Sequence, residues 1–280
     1  MAKIIRSATN DDGSLPACLH AVRTWHDGSP LASPLIQAER LFLALDFDGT
    51  LTPIVSHAAE AILPVEAGSL LARLAASDRV TVSILSGRAL EDLQSRVGLR
   101  HIIYAGNHGL EIAGPDWYHV EPEANQRRKQ LEELAVRLDK ELRAFPGAWV
   151  ENKGLTLCVH YRQAEKTHWP DIAEAVRRVA RGTEDWLRVE SGKRTWDLRP
   201  SRKFHKGTAA TYIRQRLNLE KAFSVSIGDD TTDEDLFEAL GDGLTIRVGF
   251  SDDTRACCCL ASPAEVCEFL GWLARIRGLA

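Results

Sequence analysis

LFLALDFDGT, residues 41–50, is the stretch on which the reading of this chain turns. Its apolar half offers no polar face, which is the pattern of a strand covered on both sides in a parallel sheet. The run then ends in Asp46 and Asp48, and acids two apart on a strand point the same way. Gly49 follows and lets the chain turn. Apolar runs at 80–85, 101–105, 222–227 and 244–248 resemble the first, and helical patterns at 65–76, 89–97, 206–217 and 233–240 lie between them. This alternation predicts an α/β fold, a doubly wound parallel-sheet core of Rossmann type, with its ligand at the carboxyl ends of the strands.

Residues 117–200 interrupt that pattern. A charged helical stretch at 125–144 precedes an alternating strand pair around Gly154 (148–162), and a second helix at 172–181 precedes another pair around Gly192 (186–198). Alternation predicts strands with one covered face, hence an antiparallel sheet with helices on one side. The expected organisation is a leader at 1–38, a core built from 39–116 and 201–280, and an inserted α+β domain at 117–200. The leader shows only a weak helical pattern at 15–25, and no internal repeat is visible.

The 280 residues allow two modest domains. Hydrophobic residues at 44% and charged residues at 26% match an ordinary globular chain and exclude a disordered or collagen-like one. Thirty-five basic against 39 acidic residues give a net charge of −4, so no cationic field exists to hold nucleic acid or an anionic membrane surface. Six cysteines (Cys18, Cys158, Cys257, Cys258, Cys259, Cys267) do not form a disulfide framework in a chain this long, which predicts a reduced, cytoplasmic setting. No signal segment or ~20-residue apolar span is seen. Three adjacent cysteines at 257–259 suggest a metal, but neighbours in an extended chain point to opposite sides and no matching Cys/His pair follows.

The strand ends carry the chemistry. Two acids closing a hydrophobic strand must be solvated, paired or metal-bound, since bare charge there is costly; the plain alternative is an acidic turn. The run at 80–85 leads into Ser86-Gly87-Arg88, a hydroxyl and an anion-binding guanidinium. Arg88 has two readings, contact with substrate or pairing with a core acid. The run at 222–227 leads into Gly228-Asp229-Asp230, then Thr231 to Asp235, where hydroxyls and carboxylates start a helix. Lys206 opens another helix, an unfavourable place for a cation unless an anion compensates it. An anion site with its own acids calls for a divalent cation. The set fits phosphoryl transfer: Asp46 as nucleophile, Asp48 as general acid and base, Ser86 and Lys206 stabilising the phosphoryl oxygens. Asp46, the Asp48 carbonyl and Asp229 would hold Mg²⁺, with Asp230 and Asp233 behind them.

DFDGTLTPI, ILSGR, HKG and GDDTTDED occur in the order of the four motifs of haloacid-dehalogenase (HAD) superfamily phosphatases, and the last form resembles that of trehalose-6-phosphate phosphatases. The resemblance spans about 41–249 and implies a HAD-like core with an α+β cap, Mg²⁺ dependence, an aspartyl-phosphate intermediate and a small sugar-phosphate substrate. It also recruits Asn107 and His108, and implies that Glu151, Lys153, Glu190 and Lys193 meet the sugar. Trp149, Glu151 and Lys153 share parity on one strand, so an acid and a base could bracket a polyol; a solvated hairpin tip is the alternative. His108 reads equally as a structural hydrogen-bonder. The sequence departs from the family pattern at His205, where asparagine often stands, and at Asp197, where glutamate is usual. A core that recognises only phosphate would need the insert to exclude water and supply sugar contacts. Rival readings are a phosphatase for sucrose phosphate or mannosylphosphoglycerate, or a non-catalytic sugar-phosphate-binding module.

Overall fold

The computed structural model describes residues 32–55, 58–192, 194–200 and 203–279. Most of the predicted leader, its helical pattern at 15–25 and Cys18 therefore lie outside the described residues. Residues 119–204 form one compact unit, and the rest of the described chain forms the other.

In chain order the strands are β1 (Leu41–Leu45), β2 (Val80–Leu85), β3 (Ile103–Gly106), β4 (Glu111–Gly114), β5 (Trp117–Val120), β6 (Trp149–Asn152), β7 (Leu157–His160), β8 (Leu187–Ser191), β9 (Thr195–Pro200), β10 (Phe223–Gly228), β11 (Leu244–Val248) and β12 (Cys258–Leu260). The helices are α1 (Ala32–Gln37), α2 (Val65–Ala75), α3 (Leu90–Val97), α4 (Pro122–Gln126), α5 (Arg128–Leu142), α6 (Trp169–Ala180), α7 (Lys206–Arg216), α8 (Glu234–Ala239) and α9 (Pro263–Ile276).

The larger sheet has the order β12-β11-β10-β1-β2-β3-β4-β5. Strands β12 to β3 are parallel, and β4 runs antiparallel to β3. The fold is the α/β class expected. Every residue of β1 is buried, and the side chains alternate between two cores. Leu41, Leu43 and Leu45 join α2 and α9 on one face, while Phe42 and Ala44 meet α7 and α8 on the other. That division is why the strand shows no polar alternation. The chain leaves β1 for β2 on one side and later places β10 on the other, so the carboxyl end of β1 is a topological switch point.

The smaller sheet, β6-β7-β9-β8, is antiparallel throughout. Its alternation is real: Val150, Leu157, Val159 and Leu198 pack with α5 and α6, and the intervening residues make a polar face.

Two differences from the sequence reading have physical causes. The expected helix at 233–240 begins as a 3₁₀ turn, Thr231–Asp233, because Asp230 caps Thr231 through its side chain. The strands β4, β5 and β12 and the helix α9 were not anticipated. The strands are three or four residues long, too short for a periodic signal. The α9 start is set by Ser262, whose hydroxyl accepts from the Glu265 amide, with Pro263 at the first turn.

Leu43→Ala should cost about 2–5 kcal/mol, because the side chain is fully buried between sheet and helices. Urea unfolding monitored by circular dichroism reads this directly. A loss under ~0.5 kcal/mol, the range of a surface substitution, would mean that β1 is not covered as described.

Candidate active site

The turn after β1 is built around one carbonyl. Phe47 O accepts from the amides of Leu51 (2.9 Å) and Thr52 (3.0 Å) and from the Thr52 hydroxyl (3.2 Å), and Gly49 N donates to Thr52 O at 2.8 Å. Gly49 has φ +83°, where a side chain is strained, and the place of its missing Cβ is taken by the Asp229 carboxylate. The glycine therefore brings the ends of β1 and β10 together. Asp46 is buried and hydrogen-bonds through its amide to Ile227 O on β10.

Lys206 is the hub. Its ammonium, on a residue only 3% exposed, donates to Asp46 Oδ1 at 2.6 Å and to Asp233 Oδ1 at 2.7 Å. Asp233 is wholly buried, and its other oxygen accepts from the amides of Asp229 and Asp230, each at 3.0 Å. These bonds answer the charge problem at the start of α7: the compensating anions are two carboxylates from β1 and the turn after β10. Burial alone would lower the affinity of Lys206 for its proton, but Asp233 and Asp46 outweigh it and hold the amine firmly charged. Burial raises the Asp46 carboxyl well above the ordinary carboxylate range; Lys206 opposes that, and Asp233 and Asp229 reinforce it.

Asp46, Asp229 and Asp233 bring carboxylate oxygens within 4.8 Å of one another. Three carboxylates face one ammonium, so the cluster is short of positive charge. Asp46 Oδ2 is buried and has no hydrogen-bond partner among the described residues, and the same holds for the Thr50 hydroxyl. An orphaned carboxylate oxygen in an acidic cluster is a fit for a hard divalent cation. Thr50, quoted within the motif but given no role from sequence, thus enters the site. Its signal was only its place after Gly49.

Asp48 is half-exposed, and both its oxygens accept from Arg88, at 2.6 and 2.7 Å. Arg88 also reaches Asp92 at 2.7 Å. Of the two readings of Arg88, this structure realises pairing with an acid. Burial works against the guanidinium charge, but Asp48 and Asp92 more than offset it. Ser86 is buried, and its hydroxyl accepts from Arg88 N at 3.2 Å.

The loop after β3 docks on that segment through Asn107 N to Arg88 O (2.7 Å) and His108 N to Ser86 O (2.9 Å). Asn107 and His108 both take left-handed φ, +50° and +59°. Such strain persists where the surroundings impose it. His108 packs its ring where a Cβ on Gly87 would stand. Asn107, His108, Ser86 and Arg88 are therefore one locked assembly. Asp230 is half-buried and caps the following turn.

In the smaller unit the polar sheet face holds Glu151, Lys153 and Glu190. Glu151 Oε2 meets His160 Nε2 at 2.8 Å and Lys153 Nζ at 3.8 Å, and Glu190 pairs with Arg199. Lys193 lies outside the described residues. Glu151, Cys158 and His160 also have ligand atoms within 4.8 Å of one another. Yet burial pushes the Cys158 thiol up, and the neighbouring Asp197 carboxylate reinforces this, while the Lys153 ammonium disfavours a cation at Glu151. This face mixes donors and acceptors, which suits a polyol. The candidate metal groups among the described residues do not include the 257–259 cysteines. Nor is any helix there long and apolar enough to cross a membrane.

Comparison with known proteins agrees with the geometry. The family model described as trehalose-phosphatase matches residues 44–259. The trehalose-phosphate phosphatase of Mycobacterium marinum is 37% identical over 279 residues, 96% of this chain and 68% of that protein. A solved trehalose-6-phosphate phosphatase related protein superposes with a TM-score of 0.75 at 25% identity, covering 84% of this chain and 97% of the other. A haloacid dehalogenase-like hydrolase from B. subtilis has a TM-score of 0.54 at 19% identity, covering 82% and 98%, and shows the fold alone.

Asp233→Asn replaces an acceptor of one ammonium and two amides with a group that is half donor. It should destabilise the chain by about 1–3 kcal/mol, read as a lower denaturation midpoint. Unaltered stability would mean that this carboxylate does not organise the turn.

Proposed function

The chain belongs to the trehalose-phosphatase family, and from that premise we propose that it hydrolyses trehalose 6-phosphate to trehalose and phosphate, with Mg²⁺ as cofactor and an aspartyl phosphate on Asp46. The observation that carries this reading is the state of Asp46, with one oxygen fixed on Lys206 and the other buried without a partner among the described residues. Such a carboxylate is oriented and desolvated, as a nucleophile must be.

Asp46, the Asp48 carbonyl and Asp229 would hold the cation. When bound, it neutralises the repulsion between a carboxylate nucleophile and a phosphate dianion. In the first step an Asp46 oxygen bonds to phosphorus and the bond to the sugar oxygen breaks, with Asp48 protonating that oxygen. Water then attacks phosphorus, Asp48 takes its proton, and the phosphorus bond to Asp46 breaks to free phosphate. Both Asp48 oxygens accept from Arg88, so a transferable proton there requires that contact to open. The guanidinium is then available to the phosphate, which joins the two readings of Arg88. Lys206 has three N–H donors, two of them on Asp46 and Asp233, and the third is assigned to a phosphoryl oxygen, as is the Ser86 hydroxyl. Asn107 and His108 would shape the phosphate loop. Glu151, Lys153, Glu190 and Lys193 would meet sugar hydroxyls. The thiols of Cys158, Cys257 and Cys267, in no disulfide among the described residues, suit a reducing, cytoplasmic setting.

Phosphate release should be faster from trehalose 6-phosphate than from sucrose 6-phosphate, and chelation of divalent cations should abolish it. Equal turnover of both esters would defeat the disaccharide reading, and full activity under excess chelator would remove the metal. Asp46→Asn should leave a folded protein with no turnover, because an amide cannot form the acyl phosphate. Glu151→Ala should raise KM for trehalose 6-phosphate yet spare a small ester such as methyl phosphate; equal losses on both would put Glu151 outside the sugar site.

A further inference from the structure

Trp149 stands on the polar face of the smaller sheet and is half-exposed, at 50%. Its neighbour Val150 points the other way into the core formed with α5 and α6, and Trp149 takes no part in that core. It is the one large aromatic side chain of the smaller unit, among the described residues, that is left so open. An indole exposed to water on a face of acids and bases is not explained by packing.

The ring is nevertheless held. It stacks on His160, its cross-strand partner in the β6–β7 ladder, with centroids 4.2 Å apart and planes 14° from parallel. His160 is itself fixed by Glu151 at 2.8 Å, so one face of the indole is backed by an oriented imidazole. Even with that stack in place the residue stays half-exposed. Glu151 and Lys153, of the same strand parity and 3.8 Å apart, supply an acceptor and a donor farther along the same face. A flat apolar surface with charged hydrogen-bonding groups on the same sheet face matches the C–H face and hydroxyls of a pyranose.

We propose that Trp149, stacked on the Glu151-held ring of His160, is the platform on which a pyranose ring of the substrate lies, and so determines preference for a disaccharide phosphate. This inference rests on the sugar-phosphate reading above. A preset ring loses little freedom on binding, so it favours sugar binding in ground and transition state alike.

The expected signature is therefore in KM. Trp149→Ala should raise KM for trehalose 6-phosphate about tenfold, with kcat within about twofold. The ratio of kcat/KM for trehalose 6-phosphate to that for methyl phosphate should fall by the same factor. Trp149→Phe, which keeps an aromatic face, should recover KM to within about threefold of wild type. An unmoved ratio in the alanine variant, or a phenylalanine variant as impaired as alanine, would overturn the stacking role. Wild-type protein that leaves trehalose 6-phosphate intact would instead overturn the substrate assignment, and that arm is read before either variant.

Discussion

A buried ammonium between two buried carboxylates constrains this molecule more than any other interaction. Lys206 lies 160 positions from Asp46 and 27 from Asp233, yet it bonds to both within 2.7 Å. Charge in such a place is tolerable only when it is paired, since a buried ion without a counter-ion is costly. The bond set therefore requires that β1 end where α7 begins and that the turn after β10 close on both. The strand order meets this requirement, with β10 and β1 adjacent in register from Leu41↔Phe223 to Leu45↔Ile227.

The same cluster shows why stability and chemistry are joined here. Lys206 settles part of the negative charge and leaves a deficit that a divalent cation would fill. Gly49 permits the crowding, because its missing side chain is where the Asp229 carboxylate lies. Asp48, two residues from Asp46, pairs with the buried Arg88 and stays half-exposed. Acids of one parity thus acquire opposite environments, one desolvated and one at the solvent boundary, which is how a nucleophile and a proton carrier can be distinguished at one strand end.

In the smaller unit the same alternation principle sorts residues by face. Val150, Leu157, Val159 and Leu198 close the core, and the residues between them collect acids, bases and one indole on the opposite side. The pairings Glu151↔Cys158 and Cys158↔Asp197 line up three strands into a continuous polar surface. The Trp149–His160 stack is part of that ladder and so inherits its rigidity from backbone hydrogen bonds.

Much of the fold was legible because its signals are local. The apolar run of β1 needs cover on both faces, and 80–85 and 244–248 became strands with those bounds. Asp46, Asp48, Asp229 and Lys206 were legible as strand-end and helix-start residues, and the motif order tied them together. What no local pattern could carry was partnership. Whether Arg88 meets substrate or an acid, which anions receive Lys206, and which Asp46 oxygen lacks a partner are set by segments brought together from distant parts of the chain. The short strands β4, β5 and β12 depend likewise on an existing sheet edge. Periodicity and composition thus determined the class of fold and the kind of chemistry, since burial and charge act residue by residue. Tertiary structure alone decided the pairing of charges and the stacking of rings, because those energies exist only between side chains already placed side by side.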